Sequence, residues 1–275
     1  MATSIVLVTG CSKGGIGFAF CEEFANKNCK VYATARALSK LEGLPENNIE
    51  KLELDVTSDS AVQDVVQKIL EKEGKIDVLV NNAGMIAAGA LMDQTSQQVL
   101  EAFDTNTFSV LRLARAVIPS MAARKSGIIV NISSVVEDVS TPWNGLYCAT
   151  KAAVRAISEI ISMECGPFNI QVVNVAPAAV TSMISENQLT KFTVPEGSLF
   201  SAYLPGMIKR INASQGPKSM ETREFARRVV RRVLSRRPPL HLMEGGQNKW
   251  LFKILAWLPR KWVLWLMWRT YNKTE

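Results

Sequence analysis

The chain has 275 residues, of which 47% are hydrophobic and 21% are charged, and its formal net charge is +7. This length suits one α/β domain with a C-terminal elaboration, and the absence of internal repeats and low-complexity tracts excludes a repeat protein. Five cysteines show no metal-ligand spacing. We therefore expect reduced thiols, no bound metal and, because a strand begins at once without a secretory signal, a cytosol-facing protein.

A glycine-rich turn between a strand and a helix is the first predicted feature. The apolar run Ser4–Thr9 has strand length, residues 10–17 read Gly-Cys-Ser-Lys-Gly-Gly-Ile-Gly, and helical periodicity begins at Phe18. Glycines let the backbone approach a pyrophosphate, and the free N–H groups at a helix start attract its charge. We therefore predict a dinucleotide site made of Gly10, Ser12, Lys13, Gly15, Ile16 and Gly17. The alternative is a plain glycine–serine turn.

The next predicted strand, Lys30–Ala35, is followed directly by Arg36. An acidic residue at this point would bind the 2′-hydroxyl of the adenosine ribose, whereas an arginine suits a 2′-phosphate. Lys13 in the glycine-rich turn adds a second positive charge. The two residues predict NADP(H) rather than NAD, the alternative being that Arg36 is a solvated surface charge.

Strands and helices continue to alternate along the chain. Further strands are predicted at Leu52–Val56, Ile76–Val80, Gly127–Ser133 and Ile170–Val175, and Ser60–Glu73 has helical spacing. This alternation predicts parallel βαβ units and a single-domain, doubly wound α/β fold of the Rossmann type. We expect Asp55 and Val56 to meet the adenine. The small residues Asn82, Ala83 and Gly84 would let the backbone lie beside the cofactor.

Tyr147 and Lys151 lie four residues apart on a predicted helix, and Ser134 precedes Tyr147 by thirteen residues. Residues at the first spacing share a helix face. A cation beside a phenol favours the phenolate and lowers a pKa that is otherwise about 10, so the phenol can act as a general acid or base. The serine hydroxyl would give the same substrate oxygen a second hydrogen bond. Taken alone, the pair is a weak signal that a solvated helix face would also produce.

Together these motifs resemble the short-chain dehydrogenase/reductase family. The matching elements, in the family's order over roughly residues 1–182, are Thr9–Gly17, Asp55-Val56, Asn81–Gly84, Asn106, Ser134, Tyr147 with Lys151, and Asn174–Pro177. Within the family the chain is most similar to the fungal NADPH-dependent 1-acyl-dihydroxyacetone phosphate reductases, through Thr9–Gly17, Ala33–Arg36, Met163–Asn174 and an apolar C-terminal extension.

The resemblance implies a role for each catalytic residue. Tyr147 would donate the proton in carbonyl reduction, Lys151 would lower its pKa and bind the nicotinamide ribose, and Ser134 would polarise the carbonyl. Asn106 would hold a water in a proton relay. Pro177, Val180 and Ser182 would contact the nicotinamide end of the cofactor.

Three positions depart from the family pattern. The glycine-rich turn has one extra residue, so either Gly14 or Gly15 corresponds to the family's middle glycine. Glu137 stands where a glycine usually follows the catalytic serine. Ala178 replaces the glycine after Pro177, and because alanine disfavours positive φ, we expect this loop to be shaped differently.

The C-terminal part of the chain divides into two expected segments. Residues 183–217 break the strand–helix alternation and hold scattered apolar groups, so they would cover a hydrophobic substrate, the alternative being a loop that packs on its own domain. Residues 1–222 have a net charge of −3 and residues 223–275 a net charge of +10. We therefore place a catalytic domain at 1–222 and a helical, aromatic-rich extension at 223–275, beginning with a helix at Glu224–Arg237.

Five of the six tryptophans fall within 19 residues of this extension, together with Lys253, Pro259, Arg260 and Lys261. Charges and a proline make a membrane-spanning helix improbable, whereas tryptophans beside basic residues suit a segment lying in the headgroup region. We predict a peripheral membrane anchor on the endoplasmic reticulum or lipid droplets. The alternatives are a soluble cytoplasmic protein whose extension forms a subunit interface, such as that of a homodimer, or a cover for the substrate pocket. No recognition motif accompanies the basic residues, so we expect no nucleic-acid partner.

Three functions remain open from the sequence. The leading one is NADPH-dependent reduction of a lipophilic ketone, first of all 1-acyl-dihydroxyacetone phosphate, with a steroid, a retinoid or another hydrophobic ketone as alternatives. The string Gly10-Cys11-Ser12-Lys13-Gly14 also matches the nucleophile elbow of serine hydrolases, which would need the single histidine, His241, as a base. The third is a catalytically idle NADPH-binding adaptor, which would not need all four catalytic residues.

Overall fold

The structure is a computed structural model that describes residues 3–183, 188–190, 192–247 and 249–274. Seven strands form one sheet in the order β3-β2-β1-β4-β5-β6-β7, and every neighbouring pair is parallel. The strands are β1 (Ile5–Val8), β2 (Lys30–Ala35), β3 (Ile49–Glu53), β4 (Val78–Asn81), β5 (Gly127–Ile132), β6 (Ile170–Pro177) and β7 (His241–Glu244). The predicted doubly wound α/β fold is confirmed.

Nine helices accompany the sheet in the described part of the chain. They are α1 (Ile16–Asn26), α2 (Asp59–Glu73), α3 (Ser96–Phe103), α4 (Ser109–Ala123), α5 (Gly145–Cys165), α6 (Leu204–Ile211), α7 (Thr222–Val233), α8 (Lys249–Leu255) and α9 (Arg260–Tyr271). Every crossover between parallel strands contains one or more of these helices, except that between β2 and β3, which contains only the 3-10 segment Leu38–Leu41. Together the helices cover both faces of the sheet.

The core consists of two apolar layers, one on each face of the sheet. Alternate residues of a strand point to opposite faces, so Val6 and Val8 pack with α1 and α7, whereas Ile5 and Leu7 pack with α2, α4 and α5. Strands buried on both sides read as continuous apolar runs, which is why β1 was recognisable in the sequence.

The third strand lies earlier in the chain than predicted. Its register runs from Val31 opposite Ile49 to Ala35 opposite Glu53, instead of occupying Leu52–Val56. Asp55 lies in a turn and not in a strand. Its Oδ1 accepts hydrogen bonds from the N–H group and the hydroxyl of Thr57, at 2.9 and 2.7 Å. Asp55 and Val56 therefore follow the carboxyl end of β3.

Part of the expected extension belongs to the sheet-containing domain. Helix α7 buries Phe225, Val229 and Val233 against α1, and the ring centroids of Phe20 and Phe225 are 6.0 Å apart. Strand β7 pairs with β6 and extends the sheet to Glu244. The sheet-containing domain therefore continues beyond the predicted boundary at residue 222. That boundary was drawn from the change in net charge, which depends on exposed side chains and carries no information about the buried apolar face of α7.

Helices α8 and α9 form the remaining extension. They attach to the domain through Leu255, Val263 and Met267, which are buried with Val139. Most of their other apolar side chains are exposed. Among the described residues, no helix combines the length and the apolar character needed to cross a bilayer.

Candidate active site

The predicted nucleotide-binding turn lies after β1, between the carboxyl ends of β2 and β4. In this order β1 is the switch point from which the chain winds in both directions, and ligands bind at such points in doubly wound sheets. The side-chain Nδ2 of Asn82 donates to the carbonyl oxygens of Thr9 and Gly10, at 2.9 and 3.0 Å. The Thr9 hydroxyl accepts from the N–H groups of Asn82 and Ala83. These bonds fix the glycine-rich turn against the loop that follows β4.

The two glycines of the doubled pair have different backbone conformations. Gly14 has a φ of +76°, a left-handed conformation that a residue with a Cβ disfavours. Gly15 is extended and precedes the first residue of α1. Gly14 therefore meets the conformational need for glycine, although it was absent from the predicted cofactor residues. Gly17 permits close packing, because a Cβ there would lie 2.5 Å from Asn82 Nδ2 and from the Gly10 carbonyl oxygen.

Basic residues lie after β2 and in the glycine-rich turn, where the sequence predicted binding of a 2′-phosphate. Arg36 is exposed directly after β2, and its charge helps to lower the pKa of Asp55, after the larger effect of the Thr57 backbone hydrogen bond. The exposed Lys13 donates its backbone N–H to the Lys40 carbonyl oxygen at 2.9 Å. This bond places a third basic residue, Lys40, beside the turn. Lys40 was not among the predicted cofactor residues, because it lies in a short 3-10 segment, 38–41, outside the glycine-rich motif.

Tyr147 and Ser134 are brought together by the start of α5 and the end of β5. A hydrogen bond to Ser134 lowers the pKa of Tyr147, and so does the charge of Arg210, but burial outweighs both and raises this pKa to about 12. The net shift is opposite to the one expected from the Tyr147–Lys151 spacing. The lowering cation comes from α6 because the Lys151 ammonium is directed elsewhere, to a backbone carbonyl. Tyr147 therefore keeps its proton at neutral pH.

Lys151 is buried, and its Nζ donates a 2.8 Å hydrogen bond to the Ile132 carbonyl oxygen. The same Nζ lies 5.6 Å from the centroid of the Tyr147 ring. Burial lowers the pKa of Lys151 to about 8, and the charge of Glu137 opposes this shift. Both Glu137 carboxylate oxygens accept from Asn174 Nδ2. The unusual glutamate is thus a half-buried residue whose charge acts on Lys151.

Asn106 sits in a π-helical segment, 104–108, between α3 and α4. Its Oδ1 accepts from the Met85 N–H at 2.7 Å, and its Nδ2 donates to the Met85 carbonyl oxygen at 2.9 Å. A Cβ on Gly84 would lie 3.2 Å from Asn106 Oδ1 and 3.7 Å from Lys151 Nζ. Asn106 and Lys151 therefore both lie close to the backbone of Gly84. The π-helical segment that carries Asn106 is itself of a kind that is frequent at functional sites.

The loop after β6 accommodates Ala178 without a left-handed residue. Ala178 is absent from the positions with positive φ, and its N–H donates to the Glu244 carbonyl oxygen at 2.7 Å, so it continues the pairing of β6 with β7. Pro177 ends β6 at the site edge of the sheet. Val180 is buried and forms a bridge with Met220. The Ser182 carbonyl oxygen accepts from Gln215.

An aromatic cluster surrounds Trp143, four residues before Tyr147. Trp143 has a φ of +63°, which is a strained conformation for a bulky residue. Its ring contacts Phe200, Tyr203 and Trp268 at centroid distances of 6.0, 5.2 and 5.7 Å. Its Nε1 donates to the Tyr271 carbonyl oxygen at 2.9 Å. Residues of the expected substrate-covering segment and of α9 thus meet beside the site.

The hydrolase alternative is wrong. Ser12 follows the carboxyl end of β1, whereas His241 begins β7 at its amino end and contacts Glu159 at 3.2 Å. Four strand spacings of about 4.8 Å separate β1 from β7 across the sheet. A serine and its base must be within hydrogen-bond reach, so these two residues cannot form a triad.

Comparisons with known proteins agree with this geometry. The sequence profile of the family described as short chain dehydrogenase matches residues 4–191. A short-chain dehydrogenase, ptmH, of Penicillium ochrochloron is 33% identical over 94% of this chain and 95% of its own length. An NADPH-dependent 1-acyldihydroxyacetone phosphate reductase of Schizosaccharomyces pombe is 31% identical over 89% of this chain and 83% of its own. A 3-ketodihydrosphingosine reductase of Bacteroides thetaiotaomicron is 31% identical over 94% of both chains.

Solved structures with the same fold include two related proteins. A short-chain dehydrogenase from Streptomyces avermitilis has a TM-score of 0.79 and 30% identity over 91% of this chain and 90% of its own. A short-chain dehydrogenase from Sphingobium yanoikuyae in complex with NADPH has a TM-score of 0.70 and 28% identity over 87% of both chains.

Proposed function

Because this chain belongs to the short-chain dehydrogenase/reductase family and is an NADP(H)-dependent oxidoreductase, we propose that it reduces a ketone on a lipophilic substrate to a secondary alcohol. The observation that carries the proposal is the convergence of Ser134, Tyr147 and Lys151 beside the glycine-rich turn. Relatives named for an acyldihydroxyacetone phosphate and for a ketodihydrosphingosine both reduce ketones on lipids. Of these two ketones, we favour the acyldihydroxyacetone phosphate as the substrate of this chain.

The residues at the switch point of the sheet fit the cofactor. The first turn of α1 contains no acidic side chain, so its free N–H groups are suited to a pyrophosphate. Arg36, Lys13 and Lys40 provide positive charge for a 2′-phosphate. Asp55 and Val56 lie at the same edge for the adenine, and Asn82, Ala83 and Gly84 for the ribose and nicotinamide. When bound, NADPH supplies the hydride.

The side chains of the site hold and move the proton. Tyr147, with a pKa of about 12, is protonated at neutral pH and donates its hydroxyl proton to the oxygen of the ketone. Ser134 donates a hydrogen bond to that same oxygen and polarises the carbonyl. The Arg210 charge and Ser134 favour the phenolate that remains, the Lys151 ammonium would bind the nicotinamide ribose, and Asn106 fixes the loop at Met85 on which the site is built. The protonated phenol is the form that can act as the general acid in reduction.

The replacement Tyr147→Phe tests this proposal. We expect a loss of about 10²–10⁴-fold in NADPH oxidation with acyl-dihydroxyacetone phosphate, because this is the factor that general acid catalysis contributes. Binding of NADPH, followed by its fluorescence, should be unchanged. A steroid, a retinal and a simple aryl ketone belong in the same screen, since they represent the alternative substrates. Normal ketone reduction by the variant would refute the mechanism, and retained cofactor binding without reduction of any ketone by the wild-type chain would favour an adaptor.

We further propose that the reaction takes place at a membrane or lipid-droplet surface. Trp250, Trp257, Trp262 and Trp265 are 62%, 91%, 67% and 57% exposed, far more aromatic surface than one folded domain usually offers to water. Lys253 lies 4.7 Å from the Trp250 ring and Arg269 lies 4.9 Å from the Trp265 ring. Tryptophans beside cations suit the headgroup region of an anionic bilayer.

Flotation with liposomes that contain phosphatidylserine tests the membrane proposal. We expect the wild-type chain to float and a variant with these four tryptophans replaced by serine to stay at the bottom. Replacement of Met92 and Leu199, which are 76% and 90% exposed outside the extension, by serine is the matched control and should still float. Equal flotation of all three proteins would refute the proposal, and loss of a dimer in the four-serine variant would point to a subunit interface.

A further inference from the structure

Arg210, near the end of α6, is a charged residue beside the catalytic tyrosine that the proposed mechanism leaves unused. Its Nε donates a 2.8 Å hydrogen bond to Thr141 Oγ1, and its guanidinium carbon lies 5.9 Å from the centroid of the Tyr271 ring. Among the influences that lower the pKa of Tyr147, its charge is the largest. Thr141 Oγ1 in turn lies 3.9 Å from Sγ of Cys148, the residue after Tyr147, so these contacts place the guanidinium beside the first turn of α5.

The charge of Arg210 lacks a carboxylate partner in the described part of the chain. Neighbouring arginines have acceptors: Arg155 pairs with Asp138 and Glu159, and Arg260 donates to the Asp138 carbonyl oxygen and to Ser140. An arginine presents five N–H donors, of which the bond to Thr141 uses one. A half-buried guanidinium with unused donors is suited to an anion from outside the chain.

The tertiary structure holds this arginine in place. Helix α6 approaches the C-terminal segment so closely that a Cβ on Gly206 would lie 2.2 Å from the Tyr271 carbonyl oxygen. Lys209, the neighbouring cation, already donates to the Thr270 carbonyl oxygen at 2.6 Å. Arg210 is thus the cation of α6 that remains available, on an element fixed beside the aromatic cluster of Trp143, Tyr203 and Trp268.

We propose that Arg210 binds an oxyanion of the substrate, a phosphate or a carboxylate, and so selects acidic lipophilic ketones over neutral ones. This inference rests on the proposed ketone reduction. The ketone oxygen lies at Tyr147 and Ser134, the oxyanion lies at Arg210, and the acyl chain follows the aromatic cluster. Arginine forms paired, charge-assisted hydrogen bonds both with carboxylates and with phosphates.

The test compares Arg210→Gln with the wild-type chain on three ketones: an acyl-dihydroxyacetone phosphate, the same molecule without phosphate, and a long-chain keto acid. We expect the KM for the phosphate substrate to rise at least about tenfold relative to the KM for the neutral ketone, whereas any change in kcat that comes from the altered pKa of Tyr147 should be the same for all three ketones. Arg210→Lys should recover part of the loss. Arg231→Gln, an equal charge change on the exposed side of α7, should have no effect. The keto acid shows whether a carboxylate serves as well as a phosphate.

Inhibition by glycerol 3-phosphate gives a second measurement that needs only the neutral ketone as substrate. We expect glycerol 3-phosphate, but not glycerol, to compete with it in the wild-type chain, and the effect to disappear in Arg210→Gln. Equal inhibition of both proteins, or an equal rise in KM on all three ketones, would overturn the subsite and leave the reductase function intact. Failure of the wild-type chain to reduce any ketone would instead refute the proposed function. Should Arg210→Gln not fold, Thr141→Val removes the Nε acceptor and should raise the same KM by a smaller factor.

Discussion

The Glu137 carboxylate accepts hydrogen bonds from Asn174 Nδ2 at 3.0 and 2.9 Å, and this pair anchors a negative charge inside the site. The same carboxylate raises the pKa of Lys151 against the larger opposing effect of burial. The Glu137 charge therefore favours the protonated form of Lys151.

The pH dependence of reduction should report on Lys151. Tyr147 stays protonated across the accessible range because its pKa is about 12, whereas Lys151 loses its proton as the pH rises through about 8. We expect kcat/KM for ketone reduction to be level below that pH and to fall above it. A fall that begins only near the pKa of the phenol would contradict this assignment.

Glu137→Gln should move that fall to lower pH, because the amide no longer favours the lysine ammonium. Glu164→Gln, an exposed position on α5, is the control and should leave the pH profile unchanged. An unaltered profile in Glu137→Gln would show that the carboxylate has only a structural role.

The same variant should gain stability at neutral pH. Burial raises the pKa of Glu137 above its unfolded value of 4.5, so the contribution of this carboxyl is fully present below that value and is lost as the pH rises through the folded-state pKa. Glutamine avoids this loss while keeping an acceptor for Asn174. Thermal unfolding should give a Tm for Glu137→Gln at or above that of the wild-type chain at pH 7, with the difference shrinking in acid. A Tm below wild type at pH 7 would contradict the prediction.

Arg36→Glu should reverse the cofactor preference. Loss of a charge-assisted bond to the 2′-phosphate, worth about 1.5–3 kcal/mol, corresponds to a rise of about tenfold to a hundredfold in the KM for NADPH. The KM for NADH should stay the same or fall. Arg231→Glu makes the same charge change far from the site and should alter neither value, so equal effects of the two variants would exclude a phosphate contact at Arg36.

Gly17→Ala should destabilise the fold by about 1–3 kcal/mol, because the added methyl group enters an occupied volume. It would lie 2.5 Å from Asn82 Nδ2 and from the Gly10 carbonyl oxygen. Gly166→Ala is the matched control: its φ is −51°, no atom lies within 4 Å of the new Cβ, and it should stabilise by about 0.4–1 kcal/mol. Urea unfolding compares the two, and a Gly17→Ala protein as stable as Gly166→Ala would refute the close packing.

The sequence by itself determined the fold class and most of the candidate site. Runs such as Ile5–Val8 are apolar because parallel strands are buried on both faces, and their alternation with helices implies one doubly wound sheet. The positions of Ser134, Tyr147, Lys151 and Arg36 follow from local spacing, which the chain encodes directly. Local spacing also placed Asp55 near the end of the third strand, although the register of that strand was wrong.

Only the tertiary structure decided how these residues act on one another. The pKa of Tyr147 depends on burial and on Arg210, which is 63 residues away in the chain, and that of Lys151 depends on Glu137. The tertiary structure likewise assigns α7 and β7 to the main domain, because the apolar face of α7 packs against α1 and β7 pairs with β6. Such effects arise from desolvation and from contacts between distant segments, which periodicity and motif spacing cannot express.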